Sequence, residues 1–254
     1  MPRTMLTGQH WSKLETIFRN FRIYLKQNLR NFIEAILFRI HTGCLWRDLP
    51  AAFGKPSSIF KKFSRWSKDN KLLKIFKLIS SDADLEWGFI DASHVRAHQH
   101  ATGIRYQAIS KSIGGNSSKI HLAVDSNGTP VQFLIEDGTT HDVKVAGNLV
   151  NSIDLNETKI LCADKGYDSK LLRKQIESTG TKANIPKKSN TLSNNDHMDW
   201  YLYKIRHLIE NAFARLKQFR RIATRYDKLK RNYENSVVLV CIFIWLPLLN
   251  VNKP

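Results

Sequence analysis

The sequence has 254 residues, enough for one large domain or two smaller ones with a substantial core. Its 40 Lys and Arg residues outnumber 22 Asp and Glu, so the formal net charge is +18 and the expected partners are polyanions, nucleic acid before acidic membrane. Three distant cysteines argue against a zinc module or a disulfide framework, and with no apolar leader or bilayer-length apolar run we expect a soluble cytoplasmic protein.

The charge is unevenly distributed along the chain. Residues 1–80 carry 16 basic and 4 acidic side chains, and residues 201–232 carry 10 basic and 2 acidic ones. Residues 81–200 are almost neutral, with 13 basic and 15 acidic side chains. A middle part that concentrates carboxylates between two basic ends suits a catalytic site flanked by surfaces that hold phosphates.

Residues 1–84 predict a small helical domain. Apolar residues at helical spacing indicate a helix capped by Thr7 and a second helix that ends near Gly43. Segment 46–54 indicates a short helix closed by a glycine, and a basic helix follows over residues 57–68.

The basic helix carries Lys61, Lys62 and Arg65, which are candidate DNA contacts. Two short helices joined at a glycine resemble a helix-turn-helix, whose second helix enters the major groove of DNA. A plain helical bundle with a solvated basic face is the alternative. Either arrangement predicts a helical DNA-binding domain at the N-terminus.

Residues 85–254 predict an α/β domain with a mixed central sheet. An Asn-Gly turn at residue 127 joins the second and third strands as a hairpin, whereas helices separate the later strands. The strands are expected at residues 86–91, 119–125, 130–135, 158–163 and 183–185, and the helices at 142–150, 169–178, 201–222 and 237–249.

Two aspartates follow buried strands of this sheet. Asp91 comes after the apolar run 87–90, and Asp164 comes after the apolar run 160–163. Side chains at the ends of strands in an open α/β sheet face the crevice where ligands bind. One such aspartate is most simply a turn former, but two in one sheet favour a shared acidic site.

A third carboxylate lies on the helix predicted for residues 201–222. At 100° per residue, Tyr203, Arg206, Glu210 and Lys217 share one stripe, and the apolar residues lie opposite. A solvated charged face is the simpler explanation. A carboxylate among cations is, however, the combination required by a site that holds both metal and phosphate.

Phosphodiester chemistry explains this combination. Two Mg²⁺ ions can activate the attacking oxygen and stabilise the leaving oxygen, and Mg²⁺ prefers oxygen ligands. Asp91, Asp164 and Glu210 would supply carboxylates from three separate elements. Neighbouring Lys and Arg side chains would then bind the flanking phosphates.

The spacing Tyr203-x2-Arg206-x3-Glu210-x6-Lys217 is the Y-R-E-K signature of the DDE transposases of bacterial insertion sequences. Segments 43–50, 91–100, 114–121, 163–169 and 217–229 resemble the insertion sequence five family of these enzymes. The resemblance extends over nearly the whole chain. One departure is segment 17–31, which is aromatic and basic here rather than rich in glycine, proline and arginine.

The resemblance implies an RNase H-like catalytic fold with Asp91 on the first strand, Asp164 after the fourth and Glu210 on a late helix. It implies Mg²⁺ or Mn²⁺ as cofactor, as two ions, and double-stranded DNA as partner. Further DNA contacts are expected from Tyr203, Arg206, Lys217, Arg221 and Lys119. The expected activity is binding of the terminal inverted repeats of the element, cleavage there, and transfer of the 3′-hydroxyl into target DNA by a homodimer or higher oligomer at the bacterial nucleoid.

Two other functions are compatible with the same residues. An RNase H-like nuclease would hydrolyse DNA without strand transfer. A DNA-binding remnant or repressor would bind without cleaving, although the complete set of three carboxylates and the full Y-R-E-K signature speak against it.

Overall fold

The computed structural model describes residues 3–188 and 194–249. The helices of the N-terminal segment are α1 (Gly8–Asn20), α2 (Leu29–Thr42), α3 (Pro56–Lys68) and α4 (Lys71–Ser80). The strands are β1 (Trp87–Ala97), β2 (Ser110–Ser112), β3 (Gly115–Val124), β4 (Pro130–Asp137), β5 (Ile160–Ala163), β6 (Lys182–Asn184) and β7 (Thr224–Arg225). The later helices are α5 (Asp142–Asn151), α6 (Lys170–Glu177), α7 (Trp200–Ile205), α8 (His207–Lys217), α9 (Arg220–Ala223) and α10 (Lys230–Trp245).

The strands form one mixed sheet in the order β4-β3-β1-β5-β6. β1, β3 and β4 are antiparallel neighbours, whereas β5 is parallel to β1 and β6 is parallel to β5. The short strand β2 pairs antiparallel with the beginning of β3, and β7 pairs parallel with the C-terminal end of β1. The predicted α/β class with a mixed sheet is confirmed, and the strand order is that of the RNase H-like fold.

Helices cover both faces of the sheet because side chains alternate along each strand. Phe89 of β1 points into a core that includes residues of α8 and α10, and its neighbour Ile90 points into a second core that includes residues of α5 and α6. The active-site candidates Asp91 and Asp164 lie where the pairing between β1 and β5 ends.

The four N-terminal helices pack together and against α10. Thr7 caps α1 through its hydroxyl oxygen, which accepts from His10 N–H at 3.1 Å, and α2 ends at Gly43 with a positive φ of 82°, both as predicted. The apolar C-terminal segment forms α10, which is buried between α4, α3 and β4. A boundary between two domains near residue 85 stays a prediction. Among the described residues no helix is both long and apolar enough to span a membrane.

Three elements differ from the sequence predictions. β1 runs past Asp91 to Ala97, because residues 92–96 continue to pair with β3. The helix predicted for residues 201–222 is divided into α7, α8 and α9, since its backbone tightens to i→i+3 hydrogen bonds around Arg206. The short helix predicted for residues 46–54 consists of two 3₁₀ turns on either side of Pro50.

Candidate active site

The register of β1 against β5 brings Asp91 and Asp164 together. The last paired residues of these parallel strands are Ile90 and Ala163, so each aspartate is the next residue along its strand. Asp164 also caps a 3₁₀ turn, and its carboxylate accepts from the N–H of Gly166. The two aspartates that the sequence placed after apolar strands therefore lie at the same end of the paired segment of β1 and β5.

Arg206 links Asp91 to Glu210. Its Nη1 atom is 2.7 Å from Oδ2 of Asp91, and its Nη2 atom is 2.9 Å from Oε1 of Glu210. The guanidinium lies 5.9 Å from the ring centroid of Tyr203. Because Arg206 stands at the junction of α7 and α8, its side chain can reach back across the site while Glu210 remains on α8. One guanidinium therefore lies between two of the three predicted metal ligands.

The environment of Asp91 disfavours its negative charge. Burial raises the pKa of Asp91, and the charge of Asp164 adds to the rise, whereas the Ala92 amide and the Arg206 guanidinium oppose it. Burial tends to lower the pKa of Arg206, but the charge of Asp91, the hydrogen bond to it and the charges of Tyr203 and Glu210 together outweigh burial, so this pKa is raised. Burial and the charge of Asp164 thus outweigh the amide and the guanidinium that stabilise the Asp91 carboxylate.

The residues present fit a hydrated divalent cation in their chemistry. Carboxylate oxygens are the ligands that Mg²⁺ prefers. The hydroxyl of Tyr167 is buried and has no hydrogen-bond partner among the described residues, and the pKa of Tyr167 is raised by burial and by the charges of Asp142, Asp91 and Asp164. A buried donor among carboxylates suits a site completed by water or an ion.

The arrangement is nevertheless not a finished metal site. Over residues 3–188 and 194–249, no three His, Cys, Asp or Glu side chains are grouped so that they could hold a metal ion. Arg206 explains why Asp91 and Glu210 do not form such a group, since its guanidinium pairs with both carboxylates at hydrogen-bond distance. Metal binding by all three carboxylates would require Arg206 to turn away from them.

Lys217, the last residue of the predicted stripe, forms hydrogen bonds with β1. Its Nζ atom donates to Oγ of Ser93 at 2.6 Å and to the backbone oxygen of His94 at 3.0 Å. Burial lowers the pKa of its ammonium group. The predicted contact of Lys217 with DNA stays a prediction, and in the DNA-free structure this residue joins α8 to the sheet.

We expect Lys217→Ala to lower the free energy of unfolding by about 1 kcal/mol, because it removes two hydrogen bonds of a charged donor from a half-buried position. Urea unfolding of the DNA-free protein measures this effect. Ser93→Ala, which removes only one acceptor, is the matched control and should cost less. Equal stability of Lys217→Ala and the unmodified chain would show that these bonds contribute nothing.

A second polar cluster lies beside the site, on the sheet face covered by α5. Lys119, only 8% exposed, places its Nζ 2.8 Å from Oδ1 of Asp142 and 3.3 Å from the backbone oxygen of Thr140. His121 is fully buried with Nδ1 3.8 Å from the same Asp142 oxygen, and within the part of the chain that the structure describes neither ring nitrogen has a hydrogen-bond partner. Lys119 thus forms an ion pair with Asp142, and its predicted contact with DNA stays a prediction. The i, i+2 spacing of Lys119 and His121 on one strand was the signal that they share a face.

His121 is expected to make folding sensitive to acid. Burial lowers its pKa from 6.5 to about 4, Lys119 and His94 add to the decrease, and Asp142 opposes it. Since the folded protein favours the neutral ring, the contribution of His121 to stability is complete above pH 6.5 and is lost as the pH falls toward 4. The loss should reach roughly 3 kcal/mol.

Urea unfolding of the unmodified chain and of His121→Gln at pH 7 and pH 4 isolates the contribution of His121 to stability, because the other titratable groups are the same in both proteins. The unmodified chain should lose more stability between the two pH values than the variant does. His100→Gln, an exposed histidine, is the control. Equal losses in the unmodified chain and His121→Gln would contradict the assignment.

The remaining predicted DNA contacts have different surroundings. Lys61 and Arg65 are exposed on α3, whereas the Nζ atom of Lys62 lies 4.3 Å from the ring centroid of Phe32. Arg221 is only 3% exposed, and its guanidinium donates to the backbone oxygen of Cys44. Arg221 thus fastens α9 to the end of α2, and its role toward DNA stays a prediction.

Two protein families match this chain. Residues 83–245 match the family described as "Transposase DDE domain", which includes the whole sheet and the three carboxylates. Residues 6–76 match the family described as "Putative transposase of IS4/5 family".

Curated relatives cover parts of the chain. "Uncharacterized protein y4sN" of Sinorhizobium fredii is 39% identical over 80 residues, which are 32% of this chain and 64% of that protein. "Putative transposase for insertion sequence element IS6501" of Brucella ovis is 37% identical over 131 residues, 51% of this chain and 98% of that protein. A putative transposase for insertion sequence element IS402 of Burkholderia cepacia is 28% identical over 136 residues, with 50% and 62% coverage.

The matched regions thus span less than two thirds of the Sinorhizobium and Burkholderia proteins and nearly all of the Brucella one. Among solved structures, the cryo-EM structure of the piggyBac transposase synaptic complex with hairpin DNA has a TM-score of 0.49 and 11% identity, covering 94% of this chain and 72% of that chain.

Proposed function

The chain belongs to the DDE transposase family, and from that premise we propose that it is the transposase of a bacterial insertion sequence. In this proposal it binds the terminal inverted repeats of the element, cleaves DNA at the ends and joins the freed 3′-hydroxyl to target DNA. The observation that carries the proposal is that Asp91 and Asp164 are the residues that follow the last paired residues of β1 and β5. Arg206 bonds both Asp91 and Glu210 and so holds Glu210 near Asp91.

The three carboxylates are proposed to hold the metal. Two divalent ions, Mg²⁺ or Mn²⁺, would activate the attacking oxygen and stabilise the leaving oxygen of the phosphodiester. Asp91 comes from a central strand, Asp164 from the end of its neighbour, and Glu210 from a helix packed on the sheet. Placing each carboxylate on a separate rigid element fixes the directions in which their oxygens point.

Arg206 is proposed to leave the carboxylates of Asp91 and Glu210 and to bind a DNA phosphate instead. Its two charge-assisted hydrogen bonds to Asp91 and Glu210 offset part of the negative charge of the site before DNA binds. A DNA phosphate offers two oxygens to the planar guanidinium, and the carboxylates are then free for metal. Tyr203, whose ring lies beside this guanidinium, is proposed to contact the same stretch of DNA backbone.

The N-terminal helices are proposed to bind the terminal repeats. Residues 1–80 have 12 more basic than acidic side chains, and the exposed Lys61 and Arg65 lie on α3. We propose that α3 enters the major groove, with Lys62 held near the same face. Binding of this kind depends steeply on salt, because each phosphate contact releases counterions. A homodimer or higher oligomer on the bacterial chromosome would hold two ends together.

The test uses the full chain with labelled duplex DNA from the two ends of the element that encodes it, and with scrambled duplexes of equal length. In Mg²⁺ we expect preferential binding and strand cleavage at the terminal repeats. A nuclease would cut both duplexes alike, and a repressor or remnant would bind the ends without cutting. Either result would overturn the proposed function.

A further inference from the structure

A cleft opens between the N-terminal helices, and Lys62, Arg65 and Trp66 of α3 line it. It has a volume of about 590 Å³ and lies between the connection from α1 to α2, the face of α3 and the start of α4. This volume is typical of sites that hold a small molecule or one unit of a polymer. The aromatic and basic segment that departs from the family pattern forms one wall of this cleft.

The rim of the cleft is strongly cationic. Its basic side chains are Arg22, Lys26, Lys62, Arg65, Lys71 and Lys74, and no acidic residue lines it. Across the described chain, none of these six cations has a carboxylate within 4.0 Å. Burial lowers the pKa of Lys62, and the charges of Arg65, Lys26 and Lys71 lower it further. Six cations around one cleft, without a carboxylate partner, favour a polyanionic ligand.

The floor of the cleft is aromatic and apolar. Trp66 is buried beneath it, Phe21 is half-buried, and Tyr24 at the lip is 79% exposed. The connection that carries Tyr24 is held by main-chain bonds, from Ile23 N to Phe18 O and from Leu29 N to Lys26 O, each 2.8 Å long. The aromatic surface is therefore presented to solvent by an ordered connection within a ring of cations.

A cationic rim above an aromatic floor favours single-stranded DNA over duplex DNA. The backbone of a duplex could use the cationic rim, but its bases are stacked on one another and cannot reach an aromatic floor. An unpaired strand offers both phosphates and bases with free faces, and proteins that bind such strands combine a basic groove with aromatic side chains. We propose that the cleft binds an unpaired segment of a DNA strand, with its phosphates on the cations and a base stacked on Tyr24.

The inference rests on the proposed function, because it takes DNA as the polyanion. Cleavage of one strand at an element end leaves a strand terminus that is free to separate from its complement. The cleft would hold such a terminus beside the duplex bound through Lys61, so it extends the DNA surface beyond the helix predicted to enter the major groove.

The test measures binding of the full chain to a short single-stranded oligonucleotide, to the same oligonucleotide without bases, and to terminal-repeat duplex, each at several salt concentrations. The variants are Tyr24→Ser and the double variant Lys26→Gln with Lys74→Gln, whose side chains are exposed and therefore not needed for folding. The matched controls are Tyr106→Ser, an exposed tyrosine elsewhere, and Lys170→Gln with Lys174→Gln on α6.

Tyr24→Ser should weaken binding of the single strand by roughly fivefold to a hundredfold without changing its salt dependence, and should leave binding of the base-free strand and the duplex unchanged. The double lysine variant should reduce the slope of log affinity against log salt by about 1.4 for single strands, or about 0.7 per lost phosphate contact. The control variants should behave like the unmodified chain.

Unchanged single-strand binding in both cleft variants would overturn the inference, and so would an equal loss with the base-free strand in Tyr24→Ser. If the unmodified chain still prefers terminal-repeat duplex in that case, the proposed function stands without the cleft. Failure of the unmodified chain to bind any of the DNAs would instead overturn the proposed function.

Discussion

Replacing any one of Asp91, Asp164 and Glu210 by its amide is expected to reduce DNA cleavage by more than about a hundredfold, the loss seen when even a supporting residue of a metal site is removed. The amides keep the shape of the side chains and an acceptor oxygen, so that Asp91→Asn can still accept from the Ala92 amide. They remove the negative charge that the metal requires. Cleavage of labelled terminal duplex in Mg²⁺ measures the effect.

Binding of the same duplex is the accompanying readout, because the contacts proposed for the N-terminal helices are remote from these carboxylates. We expect each amide variant to bind DNA within about a factor of a few of the unmodified chain, since surface changes away from the contacts have small effects. Asp154→Asn, an exposed aspartate outside the site, is the control. Strong residual cleavage by one of the three variants would remove that residue from the proposed metal site.

Arg206→Gln is expected to have opposite effects on metal binding and on DNA processing. Without the guanidinium, Asp91 and Glu210 lose their resident cation, and the more negative site should bind Mn²⁺ at least about tenfold more tightly in the absence of DNA. A unit charge about 4 Å away contributes several kcal/mol near a protein surface, which leaves ample margin for this change. Strand transfer should fall, because the proposed phosphate contact is gone.

Mn²⁺ binding measured by electron paramagnetic resonance separates this account from a purely structural role. Arg215→Gln is the matched control on α8, since Arg215 donates to the backbone oxygen of Gly128 and forms no ion pair with a carboxylate of the described residues. A structural role would lower stability in both variants and leave Mn²⁺ affinity unchanged. Unchanged or weaker Mn²⁺ binding by Arg206→Gln would contradict the proposed exchange.

The sequence predicted the carboxylate positions because they follow from simple periodicities. Asp91 and Asp164 each come directly after an apolar run that forms part of a buried strand, and parallel pairing then places them side by side. Glu210 shares a helical stripe with Arg206, and the i, i+4 contact of these two residues is present at 2.9 Å. Each of these relations depends on a few neighbouring residues or on strand register.

Other features depend on contacts between distant segments. The pairing of Arg206 with Asp91 joins residues 115 positions apart and coincides with a break in the helix that helical propensity alone did not reveal. Lys119 lies on a strand next to the site, but its partner Asp142 arrives with α5, which the sequence does not place. The cationic cleft requires the packing of the α1–α2 connection against α3 and α4, so the composition indicated the charge of the N-terminal segment but not the position of the cleft.

Strand transfer from a pre-cut end tests the central claim most directly. The full chain is incubated in Mg²⁺ with terminal-repeat duplex that ends in a 3′-hydroxyl, or in a matched 3′-deoxy terminus, together with a supercoiled target plasmid. A transposase should join the hydroxyl-bearing strand covalently to the plasmid, and should give no joined product with the 3′-deoxy strand or with the Asp91→Asn variant. Nicking of the plasmid to the same extent with both termini, without any joined product, would contradict the account and indicate a nuclease.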